Sequence, residues 1–141
     1  MVFNKWCEKR DYLLKVSNYT GNTDEYFKRL KSKINDLGLN DGLRVIYAKR
    51  NGPNELEELF FFYSDKLSVI LLNGMEITVR SFRFSDIQNV EFKFILNSDY
   101  QESLKLIFNN ESFTLNPIED TESSEYQDYL SRLKEIYFIV K

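Results

Sequence analysis

Downstream of Leu43 the chain is a succession of short, strongly apolar segments separated by turn residues, and it closes with one amphipathic helix. The strand segments are 43–49, 56–63, 67–72, 75–84, 88–96, 102–108 and 112–115, and the helix is 124–140. Strands in one run followed by a helix specify an α+β domain built on antiparallel pairing. Val90, Phe92, Phe94 and Leu96 alternate with polar residues, as do Leu104, Leu106 and Phe108, so each of these strands covers one face. Asn73-Gly74 predicts a hairpin with a type I′ turn, and Asn109-Asn110 a second. In 75–84 the apolar positions are odd at Met75, Ile77 and Val79 but even at Phe82 and Phe84. That change of phase predicts a bulge, or a strand passing between sheets, at Ser81.

Two segments are apolar at both parities: Phe60-Phe61-Phe62-Tyr63 and Val69-Ile70-Leu71-Leu72. A sandwich strand buries one face against the opposite sheet, so another element must cover the second face. The N-terminal third supplies the covering candidates. Residues 2–16 place Phe3, Trp6, Cys7, Leu13 and Leu14 at roughly helical spacing. Phe27, Leu30, Ile34 and Leu37 then form a narrow seam, with Asn22 as cap, Glu25 as capping-box partner and Gly38 as stop. The expected organisation is a helical extension over 1–40, integral to the fold and packed outside the sheet, and a β domain with its terminal helix over 41–141. The last helix begins in an acidic stretch, Glu119, Asp120, Glu122 and Glu125, that suits its positive dipole end. Its apolar face is Tyr126, Tyr129, Leu130, Leu133, Ile136, Tyr137 and Val140, which must lie on a sheet or across an open barrel end.

Composition narrows the function classes. The 141 residues fit one domain able to bury about two thirds of its unfolded surface, and twelve Phe, nine Tyr and one Trp supply a large core. No apolar run approaches the ~20 residues of a membrane span, and Met1-Val2-Phe3-Asn4-Lys5 lacks the pattern of a signal peptide. A single cysteine, Cys7, excludes an internal disulfide framework. These features predict a cytoplasmic protein. Residues 1–54 hold eleven Lys and Arg against six Asp and Glu, whereas 55–141 hold eight against sixteen. An acidic β-rich body argues against nucleic-acid binding, which draws on phosphate neutralisation.

Catalytic and cofactor chemistry is poorly supplied. Histidine is absent, which removes Ser–His–Asp and Cys–His arrangements and every His-containing zinc site. Cys7 has Lys5, Lys9 and Arg10 nearby, but a small residue packed on a helix face is the simpler reading. Glu57 and Glu58 are adjacent, so on a strand they point to opposite faces. The stretch 36–42 falls short of a calcium loop, with Gly38 at the third ligand position and Tyr47 where the closing Glu belongs. No Walker loop or Gly-x-Gly-x-x-Gly is present. The expectation is a chain without catalytic, cofactor-binding or metal-binding residues.

Seven antiparallel strands closed by a C-terminal helix resemble the pleckstrin-homology-like (PH-like, GRAM-like) domains of bacteria. The similar stretch is 43–140, and its most telling part is Phe84-Ser85-Asp86-Ile87-Gln88-Asn89-Val90-Glu91-Phe92, where an isoleucine in a turn introduces a central strand. A small bacterial or phage protein family is a further placement. The resemblance implies a seven-stranded sandwich, or partly open barrel, of two roughly orthogonal sheets with the last helix plugging one corner. It also implies binding or scaffolding more than catalysis. Lipid-binding members use basic residues at the end of the first strand, where Lys49 and Arg50 stand, and at the start of the second, which here carries Glu55, Glu57 and Glu58. Those carboxylates repel a polyphosphate head group.

The reading that follows is a non-catalytic module for a protein or peptide partner, in an adaptor, regulatory or inhibitory role. Its site is expected at a sheet edge or in a groove beside the terminal helix. Lys49 and Arg50 are the candidate partner or anion contacts, and Tyr100 in the 97–101 turn is the candidate exposed aromatic. The first alternative is peripheral binding to an anionic membrane through the basic N-terminal third; the second is an enzyme working without histidine.

Overall fold

The computed structural model describes residues 23–50, 57–98, 101–121 and 126–141. Helix α1 (Thr23–Asp36) precedes strands β1 (Val45–Arg50), β2 (Glu57–Phe62), β3 (Lys66–Asn73) and β4 (Glu76–Arg83). A 3₁₀ turn (Phe84–Asp86) leads to β5 (Asn89–Phe94), β6 (Glu102–Ile107), β7 (Ser112–Leu115), the short helix α2 (Pro117–Asp120) and the last helix α3 (Tyr126–Val140). Each predicted strand matches an observed one to within two residues at either end. The strands form two antiparallel sheets, β1-β2-β3-β4 and β5-β6-β7, which do not close into a barrel. The expectations for a helix at 2–16, for the Asn22 cap and for the Phe27 side chain lie outside the described residues.

The inner core lies between the sheets. Phe60, Phe62, Leu67 and Val69 of the first sheet meet Leu104, Leu106, Phe113 and Leu115 of the second, and Tyr129, Leu133 and Ile136 of α3 close the assembly. Alternation sends the intervening residues to the other face of the first sheet. There Ile46, Leu59, Phe61, Tyr63 and Ile70 pack against Leu30 and Ile34 of α1 and against Leu39 and Leu43 of the loop that follows. Strands β2 and β3 are apolar at both parities because two different layers cover them.

The same arrangement explains the phase change in β4 and corrects its interpretation. Pairing of β3 with β4 runs without interruption from Lys66↔Arg83 to Asn73↔Glu76, so Ser81 is neither a bulge nor a crossing point. Ile77 lies against the outer cluster and Phe82 against the inner one. Ser81 opposes the buried Ser68, with 3.1 Å between hydroxyls. The passage between sheets comes later, at the 3₁₀ turn, where Phe84 and Ile87 pack on the inner core.

Two turns also differ from expectation. The β3–β4 loop is Gly74-Met75, because Asn73 pairs with Glu76. Gly74 has φ +60° and Met75 does not have positive φ. Positive φ at the first central residue alone is the type II′ signature, whereas type I′ needs it at both. Helix α1 ends in a Schellman motif: the Gly38 N–H donates to Asn35 O and the Leu39 N–H to Ile34 O, both at 3.0 Å. Gly38 takes φ +68° there, while Leu39 turns inward beside Ile34. Leu37, read as part of the seam, sits at the cap and is 55% exposed. A Cβ on Gly38 adds left-handed strain and comes 3.3 Å from the Asp41 carboxylate. Gly38→Ala is expected to lower stability by about 1–2 kcal/mol in urea titration.

Strand β1 is an edge of the first sheet, and α3 covers it with side chains. The Tyr129 hydroxyl donates to Ala48 O at 3.0 Å and Arg132 Nη1 to Ile46 O at 2.8 Å. Asp128, 3.1 Å from Arg132 Nη2, balances the guanidinium charge. Edge carbonyls that would otherwise template another strand are thereby occupied.

Candidate functional site

The second sheet leaves a different kind of edge. Strand β5, Asn-Val-Glu-Phe-Lys-Phe, has β6 on one side and no strand on the other among the described residues. Its inward residues reach the C-terminal helix. Phe92 lies 5.2 Å from Tyr137, and Phe94 lies 6.4 Å from Phe92. Tyr137 continues to Phe138 at 6.0 Å, and the Lys141 ammonium sits 4.3 Å from the Phe138 ring centroid. An aromatic row therefore crosses from the β5 edge to the end of α3. Much of it faces solvent: Phe94 is 60% exposed and Phe138 65%. The alternation in sequence extends the strand to Leu96; the strand ends at Phe94, one further backbone bond joins the Ile95 N–H to Gln101 O at 3.2 Å, and Leu96 is 93% exposed. Such a concentration of large apolar side chains on a surface marks a contact region.

Beside this row the other face of the second sheet forms an open pocket of about 230 Å³. Register brings Lys93 opposite Ser103. These two residues, Ile95 and Glu102 form one side, and Asn116, Ile118 and Glu119 form the other. Helix α2 holds the second wall. The Asn116 side chain caps it by accepting from the Ile118 N–H at 3.2 Å, and Pro117 starts it, where a missing N–H carries no penalty.

A buried carboxylate anchors that wall. Asp120 is 2% exposed; its Oδ2 accepts from the Tyr47 hydroxyl at 2.7 Å and from the Asn116 N–H at 2.8 Å. Burial pushes the Asp120 carboxyl above its ordinary range, against the hydrogen bonds from Tyr47 and Asn116 and the Lys49 charge. Sequence reasoning placed Asp120 among acidic residues at the start of the last helix; it instead ends the separate helix α2. The Tyr63 phenol is also raised, to about 12, chiefly by burial. Tyr63 belongs to the outer layer and Tyr47 to the inner one, so the two groups share no substrate space.

Of the residues expected to make contacts, Lys49 is the one whose side chain is described. The Lys49 ammonium donates to Thr114 O at 2.6 Å, a bridge from β1 to β7 across the two sheets. Arg50 ends β1 with its backbone opposite Glu57, and its side chain lies outside the described residues, as does Tyr100. The exposed row and the pocket were missed because both arise from strand ends. Alternation continuing past the last paired residue is the one signal in the sequence that pointed to them. No group of His, Cys, Asp and Glu suited to a metal occurs among the described residues, and no helix there is long and apolar enough to cross a membrane.

No curated protein matches the chain. The family model described as "Protein of unknown function (DUF3908)" matches residues 5–132, a span that takes in α1, both sheets and the first part of α3, and the chain belongs to that family.

Proposed function

We propose that the chain is a non-catalytic, PH-like interaction module of the cytoplasm that takes an extended segment of a partner protein along β5, beside the end of α3. The carrying observation is the β5 edge, open among the described residues, running into exposed Phe94, Ile95 and Leu96. An unpaired edge offers backbone hydrogen bonds, and adjacent apolar side chains confer selectivity, the two parts of recognition by strand addition. The contrast with β1 supports the choice of edge, since the carbonyls of Ile46 and Ala48 are occupied by α3 side chains. The PH-like reading is supported by the division of seven antiparallel strands into four and three, followed by a helix on the core. Binding to an anionic membrane through Lys49 requires the anion to compete with the Thr114 carbonyl for its ammonium.

The test is a pull-down from the native host with wild type and with Phe94→Asp, which changes an exposed side chain and leaves the core intact. Wild type is expected to retain a partner near stoichiometry, and Phe94→Asp to weaken it at least about tenfold, as truncating an aromatic anchor does. Amide exchange in β5 is expected to slow with partner bound. A partner held equally by both proteins, with β5 exchange unchanged, moves the site elsewhere.

A further inference from the structure

We infer that the segment received by β5 is the β5 strand of a second copy of this chain, paired antiparallel about a two-fold axis at Phe92, an inference that rests on the β5 reading above. The backbone is arranged for such a pair. The Ile95 N–H donates to Gln101 O at 3.2 Å, in register with Phe94↔Glu102. Antiparallel strands alternate in this respect, so Glu91 and Lys93, like Ile95, turn their backbone groups to β6. Val90, Phe92 and Phe94 turn theirs to the edge that is open among the described residues. Side chains alternate as well. Val90 and Phe92 pack on the inner core, which puts Glu91 and Lys93 together on the outer face, where both are exposed.

The order of residues in β5 then selects a second copy, in one register. Antiparallel registers that keep the apolar side chains of both copies on one face place a residue on the axis. An axis at Glu91 sets carboxylate opposite carboxylate, and one at Lys93 sets ammonium opposite ammonium, both destabilising. Axes at Val90 or Phe94 pair neither charge with its opposite. An axis at Phe92 sets each Glu91 opposite Lys93 of the other copy and each Val90 opposite Phe94, with the two Phe92 residues side by side. The charged residues then fall at non-hydrogen-bonded positions of the new pair, where facing side chains come closest. Within its own sheet Lys93 faces Ser103, which offers it no charge, whereas Glu91 faces Lys105 and accepts from the Asn89 side chain at 3.2 Å. The second copy supplies Lys93 with a carboxylate. It also covers Phe94, which one copy leaves 60% exposed. Two separate sheets join as one, β7-β6-β5-β5-β6-β7, with both inner faces on the same side.

The experiment measures the mass of the full chain over a concentration series, by light scattering after size exclusion and by sedimentation equilibrium. Wild type is expected to reach twice the chain mass. Glu91→Lys and Lys93→Glu should each raise the dimer dissociation constant at least about tenfold, since either change makes both ion pairs like-charged. An equimolar mixture of the two variants should restore the dimer, because every carboxylate of one variant then meets an ammonium of the other. The double variant Glu91→Lys/Lys93→Glu should dimerise by itself for the same reason. Loss of fold cannot mimic either rescue. Amide exchange at Phe92 and Phe94 is expected to slow as wild-type concentration rises, with Glu91 and Lys93 unchanged. Wild type that stays monomeric across the series, a dimer indifferent to both reversals, or a mixture of the folded variants that stays monomeric overturns the inference. Failure here is separable from failure of the β5 reading. A monomeric wild type that retains a host protein lost by Phe94→Asp refutes only the second copy; a dimer and a partner both indifferent to Phe94→Asp refute the edge.

Discussion

Asp120→Ala is expected to lower the stability of the full chain by about 2–4 kcal/mol in urea titration, and the melting temperature by roughly 10 °C. Truncation leaves the buried Tyr47 hydroxyl and the Asn116 N–H without the oxygen that accepts from both. An orphaned buried donor costs about 1–3 kcal/mol. Relief from burying a carboxylate offsets part of this, which keeps the total below the sum. Tyr47→Phe should cost less, about 1–2 kcal/mol, because Asp120 keeps the Asn116 N–H. A loss below about 0.5 kcal/mol for Asp120→Ala, the level of an ordinary surface change, contradicts the role assigned to this carboxylate.

Asp120→Asn separates charge from hydrogen bonding. The amide oxygen can accept the same two donors without a buried charge. Burial raises the Asp120 carboxyl above 3.8 in the folded protein, so the folded state holds this proton more tightly than the unfolded chain. The stabilisation linked to it is therefore complete below about pH 3.8 and disappears as pH rises through the folded value. The asparagine variant lacks that dependence. Relative to wild type it should gain stability between pH 3 and pH 7, with the gain complete above the folded pKa. A difference between the two proteins that stays constant across this interval contradicts the shift.

The strands were readable because each alternates or runs apolar between turn residues, and those signals are local. What failed was the reading of β4. Periodicity shows that Ile77 and Phe82 face different sides of β4, but not that α1 waits on one side and the second sheet on the other. Ser81 was therefore taken for a break in a strand whose register is continuous. At the end of α1, Gly38 correctly announced the stop; which leucine turns inward was decided by the Schellman geometry, which exposes Leu37 and buries Leu39. Two side chains have partners of much longer range. Lys49 reads as a free cation until β7, 65 residues away in sequence, supplies the Thr114 carbonyl. Asp120 reads as a dipole-stabilising acid until Tyr47, 73 residues away, meets it in the core. Propensity and spacing carry no information about partners at such separations.

Deletion of residues 1–40 should leave a product that aggregates and shows no cooperative unfolding. The deletion removes Leu30, Ile34 and Leu39 from the outer layer. At about 1.5–3 kcal/mol for each buried large aliphatic side chain, the loss is roughly 5–9 kcal/mol. The whole stability of a domain is about 5–15 kcal/mol. The Tyr63 hydroxyl also loses the Leu39 carbonyl that accepts from it. The face uncovered, with Ile46, Leu59, Phe61 and Ile70 side by side, is an apolar sheet surface of the kind that drives association. A soluble remnant with a sharp unfolding transition would show that 41–141 folds alone and that the helical segment is an accessory. Single substitutions in the full chain test the same layer without removing it. Ile34→Ala should cost about 2–4 kcal/mol, the range for truncating a core aliphatic residue. Leu37→Ala, three residues on but at the exposed cap, should change stability by less than about 0.5 kcal/mol. Equal losses at the two positions contradict the packing of α1, because a helix merely lying near the sheet does not distinguish its buried residue from its exposed one.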